Sequence, residues 1–300
     1  MSFIGELAAL GTSLCFSFGS TLFTLAGRAV GSALVNRVRL LIAVLLVLLL
    51  HTLTFGEVLP LSAGIKPWFW LGLSGLVGFV LGDAFLFQAF VLVGPRLSML
   101  MMALAPILGV VLAWLFLGET LAWLELAGIA ITLGGVMVVI AERGGSDRAG
   151  AADQRSYIIG LLCGLGGAAG QAGGLVLSKM GLADGFPALS GNLIRLLAAT
   201  IAIWLVAVFN RQVVSSYRTM RANPRALLIM TGAVVLGPVL GVWLSLVAVQ
   251  NTNVGVASTL SSLMPIFLIP ISYVMFKERI TRQAVIGTLI AFVGMVLLFV

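Results

Sequence analysis

Asn36-Arg37-Val38-Arg39-Leu40-Leu41 and Asn192-Leu193-Ile194-Arg195-Leu196-Leu197 repeat one pattern at an offset of 156 residues. Each copy sets an asparagine three residues before an arginine, a spacing that puts both on one helical face. Further matches surround the pair. At an offset of 159, Gly82 falls on Gly241, Pro106-Ile107 on Pro265-Ile266 and Glu119 on Glu278. The same offset sets Gly128 on Gly287 and Gly135 on Gly294, and near 155 Gly5, Gly11 and Gly19 meet Gly160, Gly166 and Gly174. The chain reads as one unit written twice.

What surrounds the repeated residues decides the solvent. Hydrophobic residues make up 61% of the 300 and charged residues 9%, against the ~25% charged of a water-soluble protein. Apolar segments of roughly 20 residues match the thickness of a bilayer core. Five fall in the first unit: Ile4–Ala26, Leu34–Leu53, Trp68–Leu92, Ser98–Leu117 and Leu121–Ala141. Five fall in the second: Tyr157–Met180, Pro187–Phe209, Ala226–Val249, Val254–Phe276 and Thr281–Phe299. The expected fold is an all-α polytopic membrane protein of ten transmembrane helices. Residues 1–143 form the first five-helix repeat, 144–156 a Gly-rich, charged linker and 157–300 the second repeat. Because five is odd, the second copy enters the membrane from the opposite side, which is the inverted-repeat plan of secondary transporters.

Charge then sets topology. A net charge of +7 would suggest nucleic acid in a soluble protein, but here the basic residues sit mainly between apolar segments, in contact with lipid headgroups. Of the 17 Lys and Arg, all but Lys66, Lys179 and Arg195 flank the connections after segments 1, 3, 5, 7 and 9. The positive-inside rule assigns those connections to the cytoplasm and both termini to the outside, in a bacterial inner membrane. The first apolar segment has no basic residue before it and reads as a retained helix. Cys15 and Cys163 lie within apolar segments and read as buried thiols.

The five-helix repeat, the paired prolines and the paired glutamates resemble the EamA family of the drug/metabolite transporter superfamily. The motifs that carry the resemblance are Pro106, Gly118-Glu119-Thr120 and Gly128/Gly134/Gly135, then Pro265, Lys277-Glu278-Arg279 and Gly287/Gly294. It spans essentially the whole chain and implies a ten-helix carrier of metabolites, amino acids or drugs, with export the favoured direction. It leaves the solute open.

Asp83 is the sharpest candidate for function, an acid well inside the third apolar segment whose repeat counterpart is Val242. A carboxylate at that depth faces a cavity, finds a partner or stays protonated. It reads as a proton-coupling acid, a contact for an amine-bearing solute, or half of a helix-locking ion pair. Arg39 is the natural partner, differing from it in depth by about 6 Å at ~1.5 Å of rise per residue. Arg39 and Arg195 together could bind an anionic group, or could snorkel to the headgroups. Asn36 and Asn192 could cap helix starts or bond across the repeat interface. Ser258, Ser261 and Ser262 form a hydroxyl face before Pro265, where the first repeat has methionines before Pro106. They suit an amphipathic solute or simple helix–helix contact. Gln171 sits in Gly166–Gly174, a glycine-rich run suited to close packing; no Lys-Ser/Thr follows to make it a phosphate loop. Glu119 and Glu278 suit the starts of the helices that follow them.

An enzyme is the alternative class. Gly72-Leu73-Ser74-Gly75 looks like the Gly-x-Ser-Gly of rhomboid proteases, but the sole histidine, His51, precedes the serine instead of following it. No metal-ligand spacing or nucleotide fingerprint is present, so no cofactor is expected. A non-transporting scaffold would leave the inverted repeat unexplained. The expected partners are a small-molecule solute, the lipid bilayer and, for the coupling reading, protons.

Overall fold

The computed structural model describes residues 3–86, 88–89, 92, 101–102, 104–143, 154–264, 266–267 and 282–297. Pro265 and Glu278 lie outside the described residues. Most of those described are helical, with no strand among them. The first half supplies α1 (Ile4–Val30), α2 (Ser32–Phe55), α3 (Ile65–Gly75), α4 (Ala105–Leu117) and α5 (Trp123–Arg143). The second supplies α6 (Gln154–Gly181), α7 (Ala188–Phe209), α8 (Val213–Ala222), α9 (Pro224–Val234), α10 (Val242–Asn251), α11 (Val254–Ser261) and α12 (Arg282–Leu297).

Among the described residues, five stretches are long and apolar enough to cross a membrane: Leu34–Phe55, Ile65–Leu86, Ile158–Gly181, Ala188–Phe209 and Pro224–Asn251. Shorter apolar helices lie at Ile4–Gly19, Ala105–Leu117, Trp123–Gly135 and Val285–Gly294. Large apolar side chains such as Leu45, Leu49, Leu53 and Phe209 stay exposed on the outer faces, as a lipid solvent allows and water would not. This is an integral multi-pass membrane protein.

Two boundaries differ from the expectation. α6 begins at Gln154, three residues into the stretch assigned to the linker. The connection after α7 holds a further helix, α8, where the sequence suggested only a loop. Arg211 takes a left-handed turn (φ 55°), and α8 then buries Ser216 and Met220 while Tyr217 stays exposed. Arg37 Nη1 donates to Ser216 Oγ at 3.1 Å, fastening α8 to α2. Such a short, mixed helix is invisible to a search for long apolar runs.

The two repeats share a local irregularity. α3 continues through a π-helical stretch, Leu76–Gly82, and α9 runs into α10 through another, Val235–Gly241. The two stand 159 residues apart, the offset already found in the sequence. Asp83 N–H donates to Gly78 O, and its counterpart Val242 N–H donates to Gly237 O, the five-residue spacing of a π turn. Such turns widen a helix by one residue and cluster at functional sites.

Each π turn is covered by the first helix of the other repeat. A Cβ added at Gly19 of α1 would stand 3.3 Å from Gly237 N, and one added at Gly174 of α6 would stand 3.2 Å from Gly78 Cα. One step along, Gly11 meets Leu244 and Gly166 meets the Phe85 ring. Both partner pairs are again 159 apart. Glycines favour backbone approaches this close. The halves are therefore interlocked, and their shared core, with Leu40, Leu71, Leu193, Ile194, Leu246 and Leu260 fully buried, lies between them.

Candidate functional site: a cavity between the repeats

A cavity of about 290 Å³ opens where the two halves meet. Phe79 from the first π turn, Leu86 beyond it, and Phe16 of α1 supply apolar wall, with Met102, Leu175 and Met264. Thr12, Gln171, Ser245, Ser258, Ser261 and Ser262 supply polar wall. Among the described residues of the lining Arg195 is the one charged side chain, and Val242 lies in the same lining. Pro106 borders the cavity as the second residue of α4, a position that tolerates its missing N–H.

Asp83 and Arg39 form a buried ion pair through Arg39 Nη2 and Asp83 Oδ2. Arg39 Nε also donates to Asn36 Oδ1 at 2.8 Å, and its guanidinium lies 6.0 Å from the Phe23 ring centre. Asn36, Arg39 and Asp83 thus make a closed chain, and neither charged residue is in the cavity lining. Arg39 does not snorkel outward; its reach is spent on the acid.

Arg195 is placed differently. It is 2% exposed, and its guanidinium lies over the Phe79 ring, 4.7 Å from the centre. Gly75 rests directly on the Arg195 backbone carbonyl, and glycine at 78 leaves room for Nη2. Asn192 Nδ2 donates to Pro238 O at 3.0 Å, inside the second π turn. Because a carbonyl can only accept, the amide orientation is fixed, and Asn192 Oδ1 points elsewhere. Among the described residues, Asn192 Oδ1, Arg195 Nε and Arg195 Nη1 are buried with no hydrogen-bond partner. Neither asparagine caps its helix, since α2 follows Gly31 and α7 follows Pro187. Among the described residues neither bonds across the repeats either: Asn36 serves Arg39, and Asn192 serves its own half.

The hydroxyls divide into two sets. Ser245 and Ser262 donate to carbonyls one turn back, those of Val242 and Thr259, both at 2.7 Å. A second set joins the halves: Ser13 Oγ donates to Leu260 O at 2.7 Å and Ser17 Oγ to Met264 O at 3.0 Å. These two serines of α1 went unread in the sequence. Their signal was a four-residue spacing on one face, opposite carbonyls at and just beyond the end of α11 at Ser261.

At the end of the cavity where α1 starts, a polar cluster ties the repeats together. Lys179 Nζ lies 2.6 Å from Glu119 Oε1 and donates to Thr252 O at 2.7 Å. Glu119 Oε2 accepts the Val254 N–H at 2.9 Å. Glu119 therefore caps the start of α11 in the other repeat, not α5, the helix that follows it. The first turn of α5 has Glu125, whose Oε2 accepts the Ala122 N–H. The serine in the rhomboid-like pattern, Ser74, donates to Gly174 O at 2.6 Å and meets Ser178 Oγ at 2.8 Å. His51 pairs instead with Ser190 Oγ and Glu57 O.

Two comparisons bear on this arrangement. The model of the EamA-like transporter family matches residues 3–141 and again 158–300. The chain belongs to the EamA-like transporter family. A solved structure described only as the crystal structure of a protein shares the fold at a TM-score of 0.77 and 20% identity, over 99% of this chain and 96% of the other. No curated protein matches the chain. EamA-like proteins are transporters of small molecules across membranes, and the chain's duplicated, apolar, helical build is that of the family.

Proposed function

We propose that this EamA-like chain is a secondary transporter that carries small organic, amphipathic solutes by alternating access, with the inter-repeat cavity as the solute site. The observation that carries the reading is the placement of the cavity. Its lining comes from both halves, so rocking one half against the other would change which side it faces. The π turns and their glycine contacts give the matched, closely packed surfaces on which such a motion can run. The Glu119–Lys179 cluster holds one face closed. With ten spans and both termini outside, that face is the outer one of a bacterial inner membrane, and the direction implied by the family is export.

Asp83 is the candidate for proton coupling, as the one acid well inside an apolar segment. Its bond to Arg39 would have to open for a proton to enter. Uptake by proteoliposomes of the purified protein, with pooled amino acids, sugars, polyamines and cationic dyes, tests transport directly. An imposed pH gradient is expected to stimulate uptake of one pool, and Asp83→Asn is expected to abolish that stimulation while leaving solute exchange. Unchanged coupling in Asp83→Asn removes the proton role; silence from folded protein across every pool counts against transport.

A further inference from the structure

We infer that the inter-repeat cavity selects solutes carrying one anionic group, a carboxylate on a compact apolar body, with the Arg195 guanidinium as its charge partner. The inference rests on the transporter reading and names its substrate class.

Charge counting comes first. Among the described residues, two guanidiniums, Arg39 and Arg195, and one carboxylate, Asp83, stand around the cavity, and Asp83 is within electrostatic range of both. Asp83 is bonded to Arg39, so the group carries one positive charge in excess. That excess sits on Arg195, which lines the cavity while Arg39 does not. No other residue of the sequence can supply the missing acid from within the spans, because Asp83 is the one acid well inside an apolar segment.

The unmet bonding follows. Nε and Nη1 of Arg195 are buried with no partner among the described residues. The Phe79 face at 4.7 Å attracts a cation without neutralising it or accepting its N–H bonds. A guanidinium with unused donors matches the two oxygens of a carboxylate once the side chain turns those donors into the cavity. A buried cation left unpaired is costly, so an anion gains both charge and hydrogen bonds on arrival. The rest of the wall sets the body of the solute. Phe16, Leu86, Met102 and Leu175 offer apolar contact, while Ser258 and Ser261 offer hydroxyls. An amine would meet repulsion, and a neutral amide would leave the charge uncompensated.

The test uses three solutes of one shape: 3-phenylpropanoate, 3-phenylpropanamide and 3-phenylpropylamine. Equilibrium binding to the purified full chain and counterflow into proteoliposomes are measured side by side. The carboxylate is expected to bind roughly tenfold or more tighter than the amide, in keeping with a charge-assisted bond, and the amine not at all. Arg195→Gln is expected to weaken carboxylate binding by roughly 10- to 100-fold, and Arg195→Lys to restore part of it. Val242→Asp keeps Arg195 but supplies the acid that the first repeat has at the matched position. It too is expected to abolish carboxylate binding, which tests the inference even if Arg195→Gln does not fold. Carboxylate binding no tighter than amide binding, or unchanged in both Arg195→Gln and Val242→Asp, overturns the anion site. The transporter reading then stands if the amide, the amine or a pooled solute still enters vesicles. Carboxylate bound but never moved supports the anion site and overturns transport.

Discussion

In the first repeat, Arg39 holds Asn36 with one nitrogen and Asp83 with another. In the second, Arg195 leaves its own asparagine, which bonds Pro238 instead, and turns its guanidinium onto Phe79 of the opposite half. The two arginines sit on α2 and α7, and each repeat carries a π turn, the two 159 residues apart. At the matched positions Asp83 corresponds to Val242, and Phe79, which carries the Arg195 guanidinium, corresponds to Pro238. One copy pairs its arginine with an acid, and the other leaves its arginine without one in the lining of a cavity. On the inference above, withholding an acid from one copy is what would make a duplicated scaffold a binding site.

Removing Arg39 should break this contrast most severely. Arg39→Gln strands Asp83 as a buried, unpaired acid and is expected to destabilise the fold by about 3–5 kcal/mol, read as a drop in thermal stability in detergent. Arg195→Gln removes a charge that no protein acid balances, and its cost is expected to stay below about 1 kcal/mol, the scale of the lost ring contact. Equal losses at the two sites would show that the repeats use their arginines alike. Asp83→Asn in an Arg39→Gln background should recover part of the first loss, as coupled partners do.

Packing comes next in size. A Cβ at Gly170 would stand 2.6 Å from Gly82 Cα, backbone against backbone, so Gly170→Ala is expected to cost about 1–3 kcal/mol and to slow solute counterflow. At the closed face, Lys179→Ala removes the ion pair to Glu119. That pair is partly solvated, and ~0.5–1 kcal/mol of lost contact raises the open population by roughly two- to fivefold. The measurement is labelling of Ser258→Cys by an impermeant maleimide from that face, with Cys15 and Cys163 replaced. The smallest effect belongs to Gly134, where an added Cβ meets nothing within 4 Å. Gly134→Ala is expected to stabilise α5 by about 0.5–1 kcal/mol through its helix propensity, in contrast to adjacent Gly135, which packs on the Ala291 backbone.

Much of this was legible in the sequence because membranes impose strong rules. Length and apolarity mark spans, and the repeated residues mark two units, the division that the family match also makes. Depth counting paired Arg39 with Asp83 because helical rise is constant and an arginine is long. Ser258, Ser261, Ser262, Gln171 and Arg195 were singled out by polarity in apolar surroundings, and all five line the cavity. The serines of α1, the reach of Glu119 across to α11 and the helix Val213–Ala222 went unread. Each depends on which elements become neighbours, or on a helix too short and mixed to stand out.

The sequence by itself determined that the chain lives in lipid, that it is one unit twice over, and that an acid and two arginines must be accommodated among apolar helices. Those follow from composition, period and offset, which are local quantities. Only the tertiary structure decided which arginine received the acid, where the π turns fell, and that Arg195 rather than Asp83 faces the cavity. These are outcomes of competition among neighbours brought together from distant parts of the chain. One buried carboxylate can neutralise only one guanidinium, and helix packing determines which of the two it reaches.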